Sequence, residues 1–197
     1  MLVLASASPR REELLRNAGI QFTVRAANIP EVPLENEAPE VFAQRLAHEK
    51  AFAVAQERPG DFILGADTIV VVDDLILGKP SDQTSALRML RLLSGRTHRV
   101  ITGVCLIGLG NSVPSGQFPV PSFCDVRFET TTVVMEQVSD QEIAEYVATG
   151  EPMDKAGAYA IQGIASRWVS RIEGDYFNVV GLPVSLVYRM LQENQAV

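Results

Sequence analysis

The chain has 197 residues, of which 47% are hydrophobic and 21% are charged, and it carries a formal net charge of −7 at pH 7. This length and composition allow a sizeable core in one large domain or two lobes. The acidic balance argues against a nucleic-acid polymer as partner, because proteins that bind one usually have a basic surface. Any site for an anion must therefore be local.

Targeting and redox signals are few. No apolar run approaches the roughly 18 residues that span a membrane, and the first residues lack the basic start and cleavage pattern of a signal peptide, so we expect a cytoplasmic protein. Cys105 and Cys124 lack Cys-x-x-Cys spacing and lie in apolar or strand-like contexts, which indicates buried free thiols. His48 and His98 are the only histidines, too few for a histidine-rich zinc site.

The first residues predict a strand, a tight turn and the start of a helix. Ser8 stands at the N-cap position, Pro9 suits the first helical position, and Gly19 lies where the helix would end. Free backbone N–H groups, the helix dipole, hydroxyl groups and the guanidinium groups of Arg10 and Arg11 would converge there, as a phosphate chain requires. The alternative is an ordinary Ser-Pro cap with solvated arginines.

Helices and strands alternate along the rest of the chain. In order, we predict a strand at 22–26, a helix at 39–57, strands at 62–72 and 75–77, a helix from 81 or 82 to 93, strands at 99–109 and 123–134, a helix from 139 to about 149, a strand pair at 168–180 that turns at 174–175, and a final helix from 183. A loop at 110–122 separates the two long strands. Long hairpins accompany the alternating elements, which predicts a mixed β-sheet flanked by helices.

Two of the helices carry additional local signals. Ser139 and Glu142 have the spacing of a capping box at the start of the helix that ends near 149. In the helix at 39–57, periodicity predicts a shared apolar face. The members of that face are Val41, Phe42, Leu46 and Ala53.

Asp67 interrupts the long apolar strand at 62–72. Desolvating a carboxylate is costly unless it is paired or bound to a metal. Gly65 and Ala66 beside it leave room for the close approach of a ligand, which a merely structural acid would not need. We therefore favour a catalytic or metal-binding role for Asp67 over that of a buried structural acid.

A second cluster of charged, small and glycine residues lies at 149–163. Such loops present backbone N–H groups and charged tips to ligands, and the alternative is a solvated connector. Lys50, Lys79 and Lys155 could each neutralise a phosphate, although a single lysine is more often a surface residue, and Glu31 is unremarkable alone. The chain has no Walker A sequence and no Gly-x-Gly-x-x-Gly after its first strand, which argues against a P-loop NTPase and a Rossmann dinucleotide site.

Together these features indicate a metal-dependent phosphate chemistry without a covalent nucleophile, and a family resemblance makes this more specific. The motifs are Ser-Ala-Ser-Pro-Arg-Arg at 6–11, Glu-Lys-Ala at 49–51, Gly-Ala-Asp-Thr at 65–68, Gly-Lys-Pro at 78–80, Ser-Gly-Arg-Thr-His at 94–98 with Thr-Gly at 102–103, the segment 149–163, and Asn-Val-Val-Gly-Leu-Pro at 178–183. In this order, over nearly the whole chain, they resemble the Maf family of nucleoside triphosphate pyrophosphatases. Each motif alone is a weak signal, but so many in register are a strong one.

The resemblance implies a fold and a reaction. The fold would be a single domain, residues 1–197, with an elongated mixed β-sheet flanked by helices, related to the inosine triphosphatase fold, and a nucleotide cleft between two lobes. The reaction would cut the α–β phosphoanhydride bond of a nucleoside triphosphate and release the monophosphate and pyrophosphate. The resemblance also implies a homodimer and a divalent cation, for which Mg²⁺, Mn²⁺ and Co²⁺ all suit oxygen ligands.

The resemblance also assigns roles to residues of this chain. Asp67 matches the catalytic acid, expected to activate water as a general base or to hold the metal. Glu31 matches an acidic position in the site and is the second candidate metal ligand. Family members often carry two acids near this position, whereas here Ile29 and Pro30 precede Glu31, so the metal shell would rely more on Asp67 and water. The positions expected to grip the triphosphate are Ser8, Arg10, Arg11, Lys50 and Lys79.

Substrate preference follows from three positions. Arg10, Thr68 and Gln162 match members that resemble dTTP and UTP pyrophosphatases, whereas the sister subfamily that resembles 7-methyl-GTP pyrophosphatases tends to have an aromatic residue, Gln and Glu there. That subfamily also lacks the Asp154-Lys155 pair, which we count among the candidate substrate-binding residues. The Gln162 amide can both donate and accept a hydrogen bond, as a uracil or thymine edge requires.

Other functions stay open at this stage. One is a pyrophosphatase for modified nucleotides such as 7-methyl-GTP, whereas CTP and modified pyrimidine nucleotides would be further substrates of the dTTP and UTP pyrophosphatase. Another is a nucleotide-binding regulator of septum formation in dividing cells, with which the resemblance is also associated. Asp67, Lys50 and Lys79 favour catalysis, because a pure binder need not keep a carboxylate facing a polyanion.

Overall fold

The structure is a computed structural model that describes residues 1–109 and 121–196. Within those ranges the α-helices are α1 (Pro9–Asn17), α2 (Pro39–Ala55), α3 (Gln83–Leu93), α4 (Asp140–Ala148), α5 (Tyr176–Val180) and α6 (Val184–Glu193). The strands are β1 (Leu2–Leu4), β2 (Thr23–Val24), β3 (Phe62–Val72), β4 (Leu75–Leu77), β5 (Thr97–Leu109), β6 (Pro121–Met135) and β7 (Val169–Glu173). The loop predicted at 110–122 lies outside the described residues up to position 120, and positions 121 and 122 belong to β6.

Local signals in the sequence explain where several elements begin and end. Pro9 opens α1, and Gly19, with φ of +71°, follows its end. Asp73 and Asp74 both have positive φ, as the tight turn between β3 and β4 requires. The capping box of α4 is present as predicted, since Ser139 and Glu142 each bond the other's backbone N–H.

The strands of the described chain form one seven-stranded sheet. Its order is β2-β1-β3-β5-β6-β7, and β4 pairs with β3 outside this path. β1 pairs in parallel with β2 and β3, whereas the β3–β4 and β6–β7 pairs are antiparallel. The predicted mixed α/β fold, a sheet flanked by helices, is thereby confirmed.

The chain divides into two compact units. Unit 1 comprises Met1–Asp67, Thr102–Glu129 and Gly181–Val197, and unit 2 comprises Thr68–Ile101 and Thr130–Val180. The strands β3, β5 and β6 contribute residues to both. An elongated outline and a nucleotide cleft between two lobes stay predictions from the resemblance.

Helix α2 matters most for the site, because it carries Lys50. Its buried face is built largely from alanines, including Ala43, Ala47 and Ala51. A Cβ atom at Gly65 of β3 would lie 2.2 Å from the Ala47 carbonyl oxygen, and one at Gly103 of β5 would lie 2.2 Å from the Ala43 carbonyl oxygen. Small side chains on the helix and glycines on the strands thus let the α2 backbone pack directly on the sheet.

Three expectations about local structure are wrong. Val41 is 53% exposed, whereas Phe42 and Leu46 are buried, because the helix turns its alanine-rich side to the sheet. Residues 176–180 form helix α5 rather than a strand, and β7 pairs instead with β6. Cys105 is a buried free thiol, but Cys124 is exposed, with 3.9 Å between the two Sγ atoms.

Candidate active site

The candidate catalytic acid lies in a cluster of three charged side chains in unit 1. The Lys50 Nζ atom, on the buried face of α2, donates to Asp67 Oδ1 at 2.5 Å and to Glu31 Oε1 at 2.5 Å. Asp67 projects from β3, whereas Glu31 comes from the loop between β2 and α2. One ammonium group therefore joins two carboxylates from distant parts of the chain.

Burial distinguishes the three members of this cluster. The side chains of Lys50 and Asp67 are 9% and 8% exposed, whereas that of Glu31 is 36% exposed. Burial raises the pKa of Asp67 above its usual value, and the charges of Lys50 and Arg11 only partly offset this effect. A carboxylate with a raised pKa is a stronger base than one in water, so Asp67 suits proton abstraction.

Arg11 lies beside this cluster and is bonded to the protein itself. Its Nε atom donates to the Gly181 carbonyl at 2.8 Å, and Nη1 donates to Ser6 Oγ at 3.1 Å and to the Ala66 carbonyl at 2.9 Å. Burial lowers the pKa of Arg11 below its usual range, whereas the charge of Asp67 raises it. Arg11 thus joins the turn before α1, the residue preceding Asp67 and the segment between α5 and α6.

Ser8 and Arg10 lie at the beginning of α1, where they were predicted. Ser8 is the N-cap residue, but its side chain makes no capping hydrogen bond, and its backbone N–H donates to Ser6 Oγ at 3.2 Å. Both side chains are partly exposed. The Ser8 hydroxyl is thus not used to cap the helix, and the anion site at this helix start stays a prediction.

The other candidate residues belong to unit 2. Lys79 is exposed in the loop after β4, and the Gly78 carbonyl beside it accepts a hydrogen bond from Gly157 N at 3.1 Å. The Lys155 Nζ atom donates to Asp154 Oδ1 at 2.6 Å and to the Glu151 carbonyl at 2.7 Å. Within unit 2, the Lys79 loop and the segment containing Asp154 and Lys155 are thus adjacent.

The two remaining candidates differ in their surroundings. Thr68 follows Asp67 on β3 and is partly buried, whereas Gln162 is exposed. Gln162 lies on a turn in which Gly163 N donates to the Ala160 carbonyl at 3.1 Å. An exposed amide on an ordered turn can reach a ligand, which is what the predicted contact with a base requires.

Comparison with known proteins gives the family. A model of the Maf-like protein family matches residues 1–194. The chain belongs to the Maf family. The predicted resemblance is confirmed over nearly the whole sequence.

Relatives of this Maf-like chain carry more specific names. It is 57% identical to a dTTP/UTP pyrophosphatase of Koribacter versatilis, over 97% of the chain and 93% of that protein. It is 51% identical to a dTTP/UTP pyrophosphatase of Geobacter sulfurreducens, over 97% of the chain and 95% of that protein. A Geobacillus protein of the same name is 49% identical over 95% of each chain. The match to the Ham1 protein of Staphylococcus aureus covers 98% of each chain at 14% identity with a TM-score of 0.47.

Two carboxylates of the Maf-like chain fit the divalent cation that the family implies. Mg²⁺ is usually held by one or two carboxylates together with waters and substrate phosphates rather than by a complete protein cage. Asp67 and Glu31 already face one cation, the Lys50 ammonium, and supply oxygen ligands of the right kind. Among the described residues no group of three or more His, Cys, Asp or Glu side chains gathers.

Two residues that support the predicted site were not identified from sequence. Tyr146 on α4 and Glu151 bond each other and the turn that carries Gln162. The sequence offered only a weak signal, since Glu151 lay within the charged cluster at 149–163 and no motif marked Tyr146. No helix in the described chain has the length and apolar character of a membrane span.

Proposed function

We propose that this chain is a nucleoside triphosphate pyrophosphatase that acts on dTTP and UTP. The observation that carries the proposal is Asp67, a buried carboxylate whose pKa is raised although it is bonded to Lys50. A buried charge of this kind is costly, and such sites are enriched in catalytic groups. The names of the full-length relatives supply the substrates.

The proposed chemistry follows from this cluster. Asp67, as general base, takes a proton from a water molecule whose oxygen bonds to a phosphorus atom of the α–β bridge. The bond between that phosphorus and the bridging oxygen breaks, and its electron pair leaves with the other phosphate group. Lys50 offsets negative charge on the substrate before and during this attack, because a fixed ammonium group in a buried site stabilises the charge that develops.

A divalent cation is part of the proposal. Glu31, together with Asp67 where Asp67 does not serve as the base, would hold it, and Mg²⁺, Mn²⁺ or Co²⁺ would polarise a phosphate oxygen when bound. Asp67 would act as its ligand if another group takes the proton. Glu31 is the more exposed of the two carboxylates and comes from a loop, so it can adjust to the cation more readily than Asp67.

The remaining residues are proposed to bind the substrate. Each was placed in the site by the resemblance, and each offers a charge or hydrogen-bonding group of the required kind. Those for the triphosphate are Ser8, Arg10, Arg11, Lys50 and Lys79. The other proposed substrate-binding residues are Thr68, Asp154, Lys155 and Gln162, and of these the Gln162 amide would meet the base.

The test is pyrophosphate release by the purified protein with Mg²⁺ or Mn²⁺ and a panel of nucleotides. The panel includes dTTP, UTP, CTP, GTP and 7-methyl-GTP. We expect dTTP and UTP to be the best substrates and Asp67→Asn to lose at least about a hundredfold in kcat, since general-base catalysis contributes that much or more. Asp74→Asn, an exposed turn residue with positive φ, is the matched control and should leave the rate unchanged.

Three results would contradict the proposal in different ways. Full activity in Asp67→Asn would remove Asp67 from the mechanism. Preference for 7-methyl-GTP would place the chain with the other substrate class. Tight binding of nucleotides without pyrophosphate release would favour a nucleotide-binding regulator.

A further inference from the structure

The turn that carries Gln162 is bonded at both ends to two side chains. The Tyr146 hydroxyl accepts a hydrogen bond from Ala160 N at 3.2 Å, before Gln162. Glu151 accepts one from Ile164 N, at 3.1 Å to Oε1 and 3.4 Å to Oε2, after Gln162. The backbone on either side of this exposed amide is therefore held by groups from other segments of unit 2.

The two side chains are themselves joined. The Tyr146 hydroxyl donates to Glu151 Oε1 at 2.9 Å, so the phenol and the carboxylate form one continuous brace. Burial and the neighbouring carboxylate raise the pKa of Tyr146, which keeps its hydroxyl protonated and able to donate. A single hydrogen-bonded chain thus runs from Ala160 through Tyr146 and Glu151 to Ile164.

Tyr146 is the rigid end of this brace. Its side chain is 1% exposed, and its ring packs edge-on against Trp168, with 5.2 Å between the ring centroids. It projects from α4, whose start is fixed by the Ser139–Glu142 capping box. At the other end, the Glu151 carbonyl accepts a hydrogen bond from Lys155 Nζ at 2.7 Å.

Gly163 shows how closely the carboxylate fits the turn. A Cβ atom at this position would lie 2.0 Å from Glu151 Oε1, well inside any real contact. Only glycine lets the Glu151 carboxylate reach Ile164 N at this point of the chain. Gly163, the residue after Gln162, therefore leaves the space that the Glu151 carboxylate occupies.

We infer that Tyr146 and Glu151 are positioning residues that set the preference for the base by holding Gln162 in place. This inference rests on the proposed function. An exposed glutamine has several rotatable bonds, so its backbone must be fixed if its amide is to meet a base edge in one geometry. Selectivity through hydrogen bonds depends on this fixed geometry, because a mispaired polar group is what penalises the wrong substrate.

Loss of these hydrogen bonds should therefore change the preference between nucleotides more than the rate of the chemical step. Tyr146→Phe deletes the hydroxyl that Ala160 N and Glu151 both use. Glu151→Gln keeps the shape but replaces one carboxylate oxygen by an NH₂ group, which would face the Ile164 N–H as a second donor instead of accepting from it. In each variant we expect about a tenfold higher KM for UTP and a kcat within about twofold of the wild type, as loss of one or two hydrogen bonds to the turn would give.

The experiment measures kcat and KM for UTP and GTP in wild type, Tyr146→Phe, Glu151→Gln and Gln162→Ala, and in the Tyr146→Phe/Gln162→Ala pair. We expect each single variant to reduce the ratio of kcat/KM for UTP over GTP. Tyr146→Phe should reduce it no further once Gln162 is absent, because it acts through that residue. Inhibition by pyrophosphate should be unchanged in all of them.

Two controls separate positioning from general damage. Tyr188→Phe and Glu145→Gln make the same chemical changes at an exposed site on α6 and on the outer side of α4, and both should behave as wild type. Amide hydrogen exchange gives a readout that does not depend on activity. Exchange at Ala160 and Ile164 should accelerate in Tyr146→Phe and Glu151→Gln but not in the controls.

The possible results are distinguishable. If the wild type releases no pyrophosphate from any nucleotide, the proposed function and this inference both fail. If Gln162→Ala flattens the preference but Tyr146→Phe and Glu151→Gln do not, the inference alone is wrong. Equal losses for UTP and GTP that persist in the Gln162→Ala background would reduce Tyr146 to a structural residue and would likewise overturn it.

Discussion

At the scale of single residues, Lys50 has the central position in the candidate site. Its ammonium group is the shared partner of a buried carboxylate, Asp67, and a more exposed one, Glu31. Breaking a buried ion pair by removing one partner is far more costly than the pair itself is stabilising, because the remaining charge is left without compensation. The stability of the protein should therefore depend on which member is removed.

A double-mutant cycle measures this dependence. We expect Lys50→Met to lower the free energy of unfolding by about 3 kcal/mol at neutral pH, since it leaves Asp67 buried with less compensation. Asp67→Asn in the Lys50→Met background should recover part of that loss, which gives a coupling of about 1–3 kcal/mol in urea unfolding. Strictly additive effects would mean that the two side chains do not interact in solution.

His98 is a further buried ionisable residue, and it lies away from the candidate catalytic cluster in sequence. Its Nε2 atom lies 2.7 Å from the Tyr159 hydroxyl, and the two rings meet edge to face. Burial lowers the pKa of His98 to about 4. Since the unfolded chain would bind a proton near the ordinary value of about 6.5, acid should favour unfolding.

His98 makes the free energy of unfolding fall in acid. Between pH 6.5 and 4 the unfolded state holds more protons at this site than the folded state, so stability falls as pH falls through that window. From pH 7 to pH 5 the loss due to His98 is about 2 kcal/mol. His98→Gln should remove this part of the pH dependence of unfolding, whereas His48→Gln should retain it, and identical pH profiles for wild type and His98→Gln would contradict the assignment.

At the scale of elements, sequence predicts best what neighbouring residues determine. The α4 capping box, the turn at 73–74 and the bounds of β3 all follow from local spacing, and the structure has them as expected. Helix α5 was missed because one of its determinants is a contact that is distant in sequence. The Asp175 side chain caps Phe177 N, while the Asp175 backbone bonds the hydroxyl of Thr131 on β6. No local sequence pattern predicts the hydrogen bond between Asp175 and Thr131.

The candidate site shows the same division. The resemblance placed Asp67, Lys50 and Glu31 in one site, but their shared hydrogen bonds become visible only when β3, α2 and a loop come together. The brace formed by Tyr146 and Glu151 could not be predicted, because a tyrosine at a buried helix position has the same pattern whether its hydroxyl is used or not. Sequence motifs thus identify the residues proposed to contact a ligand more readily than they identify the residues that hold those side chains in place.

The packing of α2 on the sheet leads to a prediction for Gly65. An alanine there would press its Cβ atom against the Ala47 carbonyl oxygen and the Ala51 nitrogen, at 2.2 and 2.8 Å, and backbone atoms cannot yield as a side chain would. We expect Gly65→Ala to lower the free energy of unfolding by about 2–3 kcal/mol, and to impair activity because α2 carries Lys50.

Gly78→Ala is the matched control for stability. No atom outside its chain neighbours lies within 4 Å of a Cβ built at Gly78, so thermal unfolding should change little. If Gly65→Ala unfolds at the same temperature as the wild type, α2 can move away from β3 without cost, and the close packing described here would not limit stability.

At the scale of the whole molecule, charge is the main constraint. The protein has a net charge of −7, yet its proposed substrate is a polyanion. The net charge therefore gives no long-range attraction for the nucleotide, so recognition must depend on cations close to it and, in the proposal, on a metal ion that offsets the charge they leave. Binding of substrate and metal should consequently be coupled.

Thermal unfolding with a non-hydrolysable UTP analogue tests this coupling. A ligand that binds only the folded state at a hundred times its Kd adds about 2.7 kcal/mol of stability, which for a chain of this size raises Tm by roughly 5–10 °C. We expect a shift of that order with Mg²⁺ present and most of it to vanish with EDTA. Glu31→Gln should weaken the metal-dependent part of the shift, because it removes the charge of one proposed ligand. The Tm of the variant without nucleotide should stay nearly that of the wild type, since Glu31 is the exposed partner of Lys50. An equal shift with and without EDTA would mean that the chain's own cations bind the nucleotide and that no metal ion takes part in binding.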